Sequence, residues 1–386
     1  MKRSTDRILT THAGSLPRPP DLREMLTARS NHQLYDAQAF AARVKEAVAD
    51  VVRQQVDSGI DIVNDGELSK PNFTNYVRER ISGFDVREYG PGEGPPAWSI
   101  SARDKQEFAE YFATRSGRAS IGTGQRAAVC TAPLQYVGQA AVQADIANFK
   151  AALQGVQPAE AFLPAVAPGS IEHWMANEYY PSDEAYLFAI ADAMHEEYKA
   201  IADAGLLLQI DDPDLPDAWQ IYPGMELPEY RKYAQLRIDA LKHALRDIPE
   251  DRVRLHVCWG SYHGPHKYDV PLRDIVDLVL SVPVGAYSVE ASNPRHAHEW
   301  RVWEDVKLPE GKLLIPGVVS HCSDFVEHPE LVAQRLVRYA KLVGRENVIA
   351  GTDCGLGGRV GHPSLVWAKF QAMAEGARLA SQELWG

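Results

Sequence analysis

The residues of this chain best suited to chemistry begin with Arg254-Leu255-His256-Val257-Cys258-Trp259-Gly260. Apolar Val253, Leu255 and Val257 alternate with Arg254, His256 and Cys258, the pattern of a short strand closed by a glycine. Side chains two apart on a strand project to one side, so His256 and Cys258 point together. An imidazole and a thiolate placed that way clamp a borderline-soft ion such as zinc, yet two donors do not complete a site. Standing alone, the pair reads more simply as a buried histidine beside a buried cysteine. Two more donors have to arrive from elsewhere in the chain.

Converging strand ends would bring them. Eight strand-like runs begin near residues 7, 60, 161, 206, 253, 286, 312 and 347, and helices separate most of them. Phe40, Val44, Val48, Val51 and Val52 recur at three- and four-residue spacing, which predicts a helix over 36–58. Similar stretches cover 182–204, 227–246, 271–281, 329–343 and 363–382. The expected class is α/β, a single (β/α)8 TIM barrel over residues 1–386, whose chemistry sits at the C-terminal ends of its strands. Ser15, Glu67, Asp211, Cys258, Glu290, His321 and Cys354 all fall at such ends. A doubly wound open sheet is the second reading. No G-x-G-x-x-G opens a first helix and no G-x-x-x-x-G-K-[ST] occurs, which argues against nucleotide cofactors. After the second strand the pattern loosens into an irregular insertion at about 85–136, with Gly90-Pro91-Gly92-Glu93-Gly94-Pro95-Pro96 near its start and a strand over 127–132.

In a barrel, Glu290 and Cys354 can join His256 and Cys258 around one ion. The four supply N, S, O and S donors, a tetrahedral zinc set, and the two sulfurs argue against magnesium or calcium. Cys322, after His321, competes as the second thiolate. Each supporting residue also has a plainer reading. Glu67 and Asp211 can be loop carboxylates or helix caps, His321 a structural histidine, and His12, His263 and His266 loop histidines. Cys130 reads as core, and Trp98, Trp174, Trp219, Trp259 and Trp300 as packing.

Composition narrows the partners. The chain has 386 residues, 45% hydrophobic and 24% charged, with a formal net charge of -12. Without a basic run, neither nucleic acid nor an anionic membrane is an expected partner. No apolar stretch approaches the roughly 20 residues that span a bilayer. Four scattered cysteines and an N-terminus without an apolar signal core predict a reduced, cytoplasmic protein. Oligomeric state is not legible.

Seven segments then fall in a familiar order: Thr11-His12-Ala13-Gly14-Ser15-Leu16-Pro17, Asp65-Gly66-Glu67, Gln209-Ile210-Asp211-Asp212-Pro213, His256-Val257-Cys258, Val289-Glu290-Ala291-Ser292, Pro316-Gly317-Val318-Val319-Ser320-His321 and Asp353-Cys354-Gly355-Leu356. Together they resemble the catalytic barrel of the cobalamin-independent methionine synthase family, over almost the whole chain. The resemblance implies Zn2+ on His256, Cys258, Glu290 and Cys354. It also implies homocysteine near Gly14, Ser15, Glu67 and Asp211, a methylated folate as donor, and His321 as an acid, with Asp211 able to share the proton relay. Two departures accompany it. The full-length family enzyme carries a second, N-terminal barrel, and the family's Asp-Glu-Pro is here Asp211-Asp212-Pro213. Standalone barrels of this type also resemble the epoxyalkane–coenzyme M transferases, in which zinc activates a different thiol. A purely structural zinc is a third reading, but structural sites usually draw on short local spacings rather than distant strand ends.

Overall fold

The computed structural model describes residues 1–31, 33–90, 100–114, 126–260 and 262–386. Its strands are β1 (Leu9–Thr10), β2 (Ile62–Val63), β3 (Ile81–Glu88), β4 (Arg126–Tyr136), β5 (Glu160–Val166), β6 (Met175–Asn177), β7 (Leu207–Asp211), β8 (Val253–Val257), β9 (Ala286–Glu290), β10 (Leu313–Val319) and β11 (Ile349–Thr352). Eight of them form one parallel sheet in the order β1-β11-β10-β9-β8-β7-β5-β2. These are the eight runs read from the sequence. The two edge strands meet through Asp61 N–H donating to Thr10 O at 3.1 Å and Thr11 Oγ1 donating to Ile62 O at 3.0 Å. The protein is therefore a (β/α)8 TIM barrel.

Alternation along each strand sorts residues between the barrel interior and the surrounding helices. Leu9, Ile62, Phe162, Leu207, Ala286, Leu313, Ile315 and Ile349 form a buried floor. Of the eight barrel strands only β8 contributes no residue to it. Its inward residue is Arg254, which lies 3.5 Å above the Phe162 ring and donates to Gln209 Oε1, Thr11 Oγ1 and His12 O at 2.6–2.9 Å. A polar layer thus separates the apolar floor from the mouth.

The helices, in chain order, are α1 (Pro20–Ser30), α2 (Ala37–Asp57), α3 (Ala102–Glu107), α4 (Ala109–Thr114), α5 (Gln139–Leu153), α6 (Pro168–Trp174), α7 (Asp183–Asp203), α8 (Asp214–Ile221), α9 (Leu227–Ala244), α10 (Val276–Leu280), α11 (Val302–Asp305), α12 (Pro329–Val343) and α13 (Pro363–Trp385). Asp36 caps α2 by accepting from the Gln38 and Ala39 amides, and Ser182 caps α7 through Ala185, so both begin where their sequences predict. The stretch expected as one helix over 271–281 is instead a 3-10 turn followed by α10, because Ile275 leaves helical dihedrals at φ -131°. Among the described residues, no helix is long and apolar enough to cross a membrane.

The described part of the segment beyond β2 is regular. β3 pairs antiparallel with β4, which pairs parallel with β6, making a three-stranded sheet beside the barrel. Arg80, at the foot of this hairpin, is buried against Asp145 of α5 and Glu197 of α7, and Tyr76 and Tyr136 donate to the same Glu197 carboxylate. Pro91 to Pro96 and Trp98 lie outside the described residues.

Candidate active site

Strand register gathers the site. Asp211 of β7 pairs with His256 of β8, and His256 with Ser288 of β9. His256 Nδ1 is 3.2 Å from Ser288 Oγ, while its Nε2 is buried and has no hydrogen-bond partner among the described residues. One ligand atom each of His256, Cys258 and Cys354 lies within 4.8 Å of the others, and the two sulfurs are 3.7 Å apart. Glu290 stands next to this group rather than inside it. Its Oε1 accepts from Trp259 N–H at 3.0 Å, and its Oε2 from Asn293 Nδ2 at 3.0 Å. Cys322 is not a member; its sulfur is 3.0 Å from His321 Nε2.

What fixes Cys354 is its neighbour. Asp353 is fully buried, and its carboxylate accepts from the Ala291 and Ser292 amides at 2.8 and 3.0 Å and from Ser292 Oγ at 2.5 Å. That bracket ties the end of β11 to the end of β9, holding Cys354 beside Glu290. Gly317 of β10 makes room for it, since a Cβ there would stand 2.6 Å from Asp353 Cα and N.

Electrostatics match a cation site. The hydrogen bond from Cys258 and the imidazoles of His256 and His321 hold Cys354 well below the usual thiol range, whereas its bond to Cys354 and burial push Cys258 far up. Cys258 is thus the sulfur that donates, and Cys354 the one held toward its thiolate form. Burial opposes charge on His321, but the Cys322 sulfur, Cys354 and Glu290 raise it to about 10. A nitrogen without a partner, two sulfurs and an adjacent carboxylate in a buried setting fit zinc, the donor set this ion prefers.

The cluster opens into a cavity of about 400 Å3 whose walls include Ser15, Glu67, Asp211, His256, Cys258 and Cys354. Three of the four predicted substrate residues, Ser15, Glu67 and Asp211, line it, and Gly14 packs against Glu67 without lining it. Ser15 is placed by Gly357 N–H donating to Ser15 O at 2.9 Å, and by Gly355, whose missing Cβ would lie 2.9 Å from Ser15 N. Gly14, at φ +149°, leaves space for the Glu67 carboxylate; a Cβ there would sit 2.6 Å from Glu67 Oε1. Glu67 itself adopts φ +55°, a strained conformation for a non-glycine residue and one that clusters at functional sites. Burial raises the Glu67 carboxyl, and burial together with Glu67 and Cys354 raises Asp211 to about 8. His321 and Glu290 are not among the cavity walls.

Sequence reading passed over several residues. Arg18 lines the cavity, donates to Glu67 O at 2.8 Å, and has a buried Nε without a partner among the described residues, so it can pair with a substrate carboxylate. Asp214 and Asp217 also line it; burial raises Asp214 to about 8, and Trp174 Nε1 donates to Asp214 at 3.0 Å. Their signal was the spacing of three between Asp214 and Asp217, which puts both on one face of α8. Gln209 lies two before Asp211 on β7, and its amide donates to Asp211 Oδ1 and Ala13 O at 2.6 and 2.5 Å.

Comparison with known proteins gives this geometry a lineage. The sequence of the family described as "Cobalamin-independent synthase, Catalytic domain" matches residues 8–90 and 127–378. A methionine synthase of Thermococcus kodakarensis is 24% identical over 376 residues, covering 97% of this chain and 94% of that protein. One from Pyrococcus furiosus is 25% identical over 382 residues, with 97% and 93% covered. The structure of a B12-independent methionine synthase from Shewanella sp. W3-18-1 superposes with a TM-score of 0.73 at 20% identity, over 98% of this chain and 99% of that one, and so shares the fold. The chain belongs to the cobalamin-independent synthase catalytic-domain family.

Proposed function

We propose that the protein methylates the sulfur of homocysteine, using a methylated pterin as donor, at a zinc ion held by His256, Cys258, Cys354 and Glu290. The chain acts as one catalytic unit, hairpin included. The observation that carries this reading is the His256, Cys258 and Cys354 cluster opening onto a cavity whose wall presents Ser15, Glu67 and Asp211. Relatives named methionine synthase favour it over epoxide opening.

Bound zinc would supply Lewis acidity that keeps a substrate thiol deprotonated near neutral pH. The remaining work falls to the chain. Burial raises both carboxyls, and Glu67 helps to hold Asp211 at about 8, so Asp211 keeps its proton at neutral pH. An ammonium group entering beside Glu67 and Asp211 favours both ionised forms and frees that proton. Loss of a pterin nitrogen from the methyl carbon needs a proton, and Asp211, which lines the cavity where His321 does not, is the donor we assign to it. His321, charged at neutral pH, offsets the negative charge of Glu290 and Cys354. Ser15 and Gly14 shape the backbone on which the amino acid rests. The test is product formation by zinc-loaded protein. Methionine from homocysteine and 5-methyltetrahydropteroylglutamate is expected, and is lost in Cys354→Ser. A thioether formed only from coenzyme M and epoxypropane would replace this reading with the alternative.

A further inference from the structure

The family's shared sequence stops at residue 90 and resumes at 127. Yet one wall of the catalytic cavity comes from inside that interval. Ile100 lines the cavity, is only 7% exposed, and forms a small apolar cluster with Ile221 and Tyr262, against which Trp174 packs. A side chain absent from the family pattern thus touches the space where substrate is bound.

The segment behind Ile100 is held firmly. Arg103 lies 3.6 Å above the Trp219 ring and donates to the carbonyls of Trp219, Tyr222 (3.0 Å) and Met225 (2.6 Å), tying α3 to the end of α8. On the other side Asp104, fully buried, accepts from Tyr268 N–H at 3.1 Å, and Glu107 pairs with Lys267 at 2.6 Å. Residues 100–107 therefore bridge α8 and the loop after β8, the two elements that carry Asp217 and Tyr262 into the cavity.

We propose that this segment sets the selectivity of the site for its alkyl donor, with Ile100 as the specificity-determining contact; the proposal rests on the thiol-methylation reading above. His256, Cys258 and Cys354 line the cavity, and Phe73, Ile100, Trp174 and Tyr262 add apolar surface to its walls. Apolar and aromatic surface of that kind takes the flat ring system of a donor, while the polar groups take the thiol-bearing amino acid. Arg103 is a positioning residue in this scheme, since it acts only through the segment.

The experiment compares zinc-loaded wild type with Ile100→Ala, Ile100→Trp and Arg103→Ala, reading KM for 5-methyltetrahydropteroylglutamate and for homocysteine separately. Cobalt-substituted protein reports thiol coordination independently, through the increase in thiolate charge-transfer absorption on adding homocysteine, above what Cys258 and Cys354 themselves give. Removing or adding a few carbons in a hydrophobic pocket shifts discrimination by about 10-fold or more. Donor KM is expected to rise by roughly that factor in all three variants, with homocysteine KM and the cobalt band unchanged. Ile100→Val, the mildest cut, gives a smaller rise and covers the case in which a larger change unfolds the segment. Donor KM within twofold of wild type in every folded variant, alongside normal turnover, overturns the proposal alone. A wild type that shows neither that increase nor methionine overturns the thiol-methylation reading, and this proposal with it.

Discussion

Replacing Asp353 tests how the site is held. Its carboxylate accepts two backbone amides from the end of β9 and one hydroxyl, all in the interior. Asp353→Ala strands two buried N–H groups, and each lost bond to a charged acceptor costs about 1.5–3 kcal/mol. Since the bonds share one side chain and do not add fully, the expected loss is about 4 kcal/mol, a large part of a typical domain's 5–15 kcal/mol. Asp353→Asn behaves differently. Its amide oxygen can keep both N–H donors and its NH2 can donate to Ser292 Oγ, so the loss should stay near 1 kcal/mol. Urea unfolding followed by circular dichroism measures both. Because the bracket also orients the segment carrying Cys354, zinc affinity in Asp353→Ala should fall by about 10–100-fold, measured by competition with a chromophoric chelator. Equal stability of the alanine and asparagine variants would refute the bracket.

Three further outcomes follow from the same geometry. Gly317→Ala should destabilise by about 1–3 kcal/mol, because its Cβ would press on the Asp353 backbone at 2.6 Å; an unchanged urea midpoint contradicts this. Arg254→Met should cost roughly 2–4 kcal/mol, since it strands Gln209 Oε1 and His12 O in the interior and releases the amide that orients Asp211. A variant as stable as wild type, with unaltered turnover, would remove the polar layer from the account. His296 is buried between Asp269 and Glu299, and although burial opposes its charge, those partners raise its pKa from 6.5 to about 10. A raised histidine stabilises fully below its unfolded value, and the contribution fades as pH climbs from 6.5 through 10. The stability advantage of wild type over His296→Gln should therefore be largest near pH 6 and shrink by pH 10; a gap that grows with pH contradicts the assignment.

The barrel was legible because its signals are local. Alternation placed β8, three- and four-residue spacing placed α2, and Asp36 and Ser182 marked helix starts. The hairpin was not, because β3 is largely exposed and meets β4 across some forty residues of chain. Long-range pairing of that kind leaves no periodic trace. At the site, His256 and Cys258 announced themselves by sharing one side of a strand. Cys354 needed the barrel to bring it near, and the choice between Cys354 and Cys322 was decided only by position: Cys322 turns toward His321. Glu290 carried the right chemistry, yet its oxygens are engaged by Trp259 and Asn293, which no spacing rule reveals. The role of Asp353 was invisible because its partners are 61 and 62 residues away.

Zinc K-edge absorption of the purified, reduced protein, with and without homocysteine, addresses the central claim most directly. One zinc per chain with two sulfur neighbours and two nitrogen or oxygen neighbours is predicted, and a third sulfur when the thiol is added. Protein that binds no stoichiometric zinc, or a shell that homocysteine leaves unchanged, would contradict it.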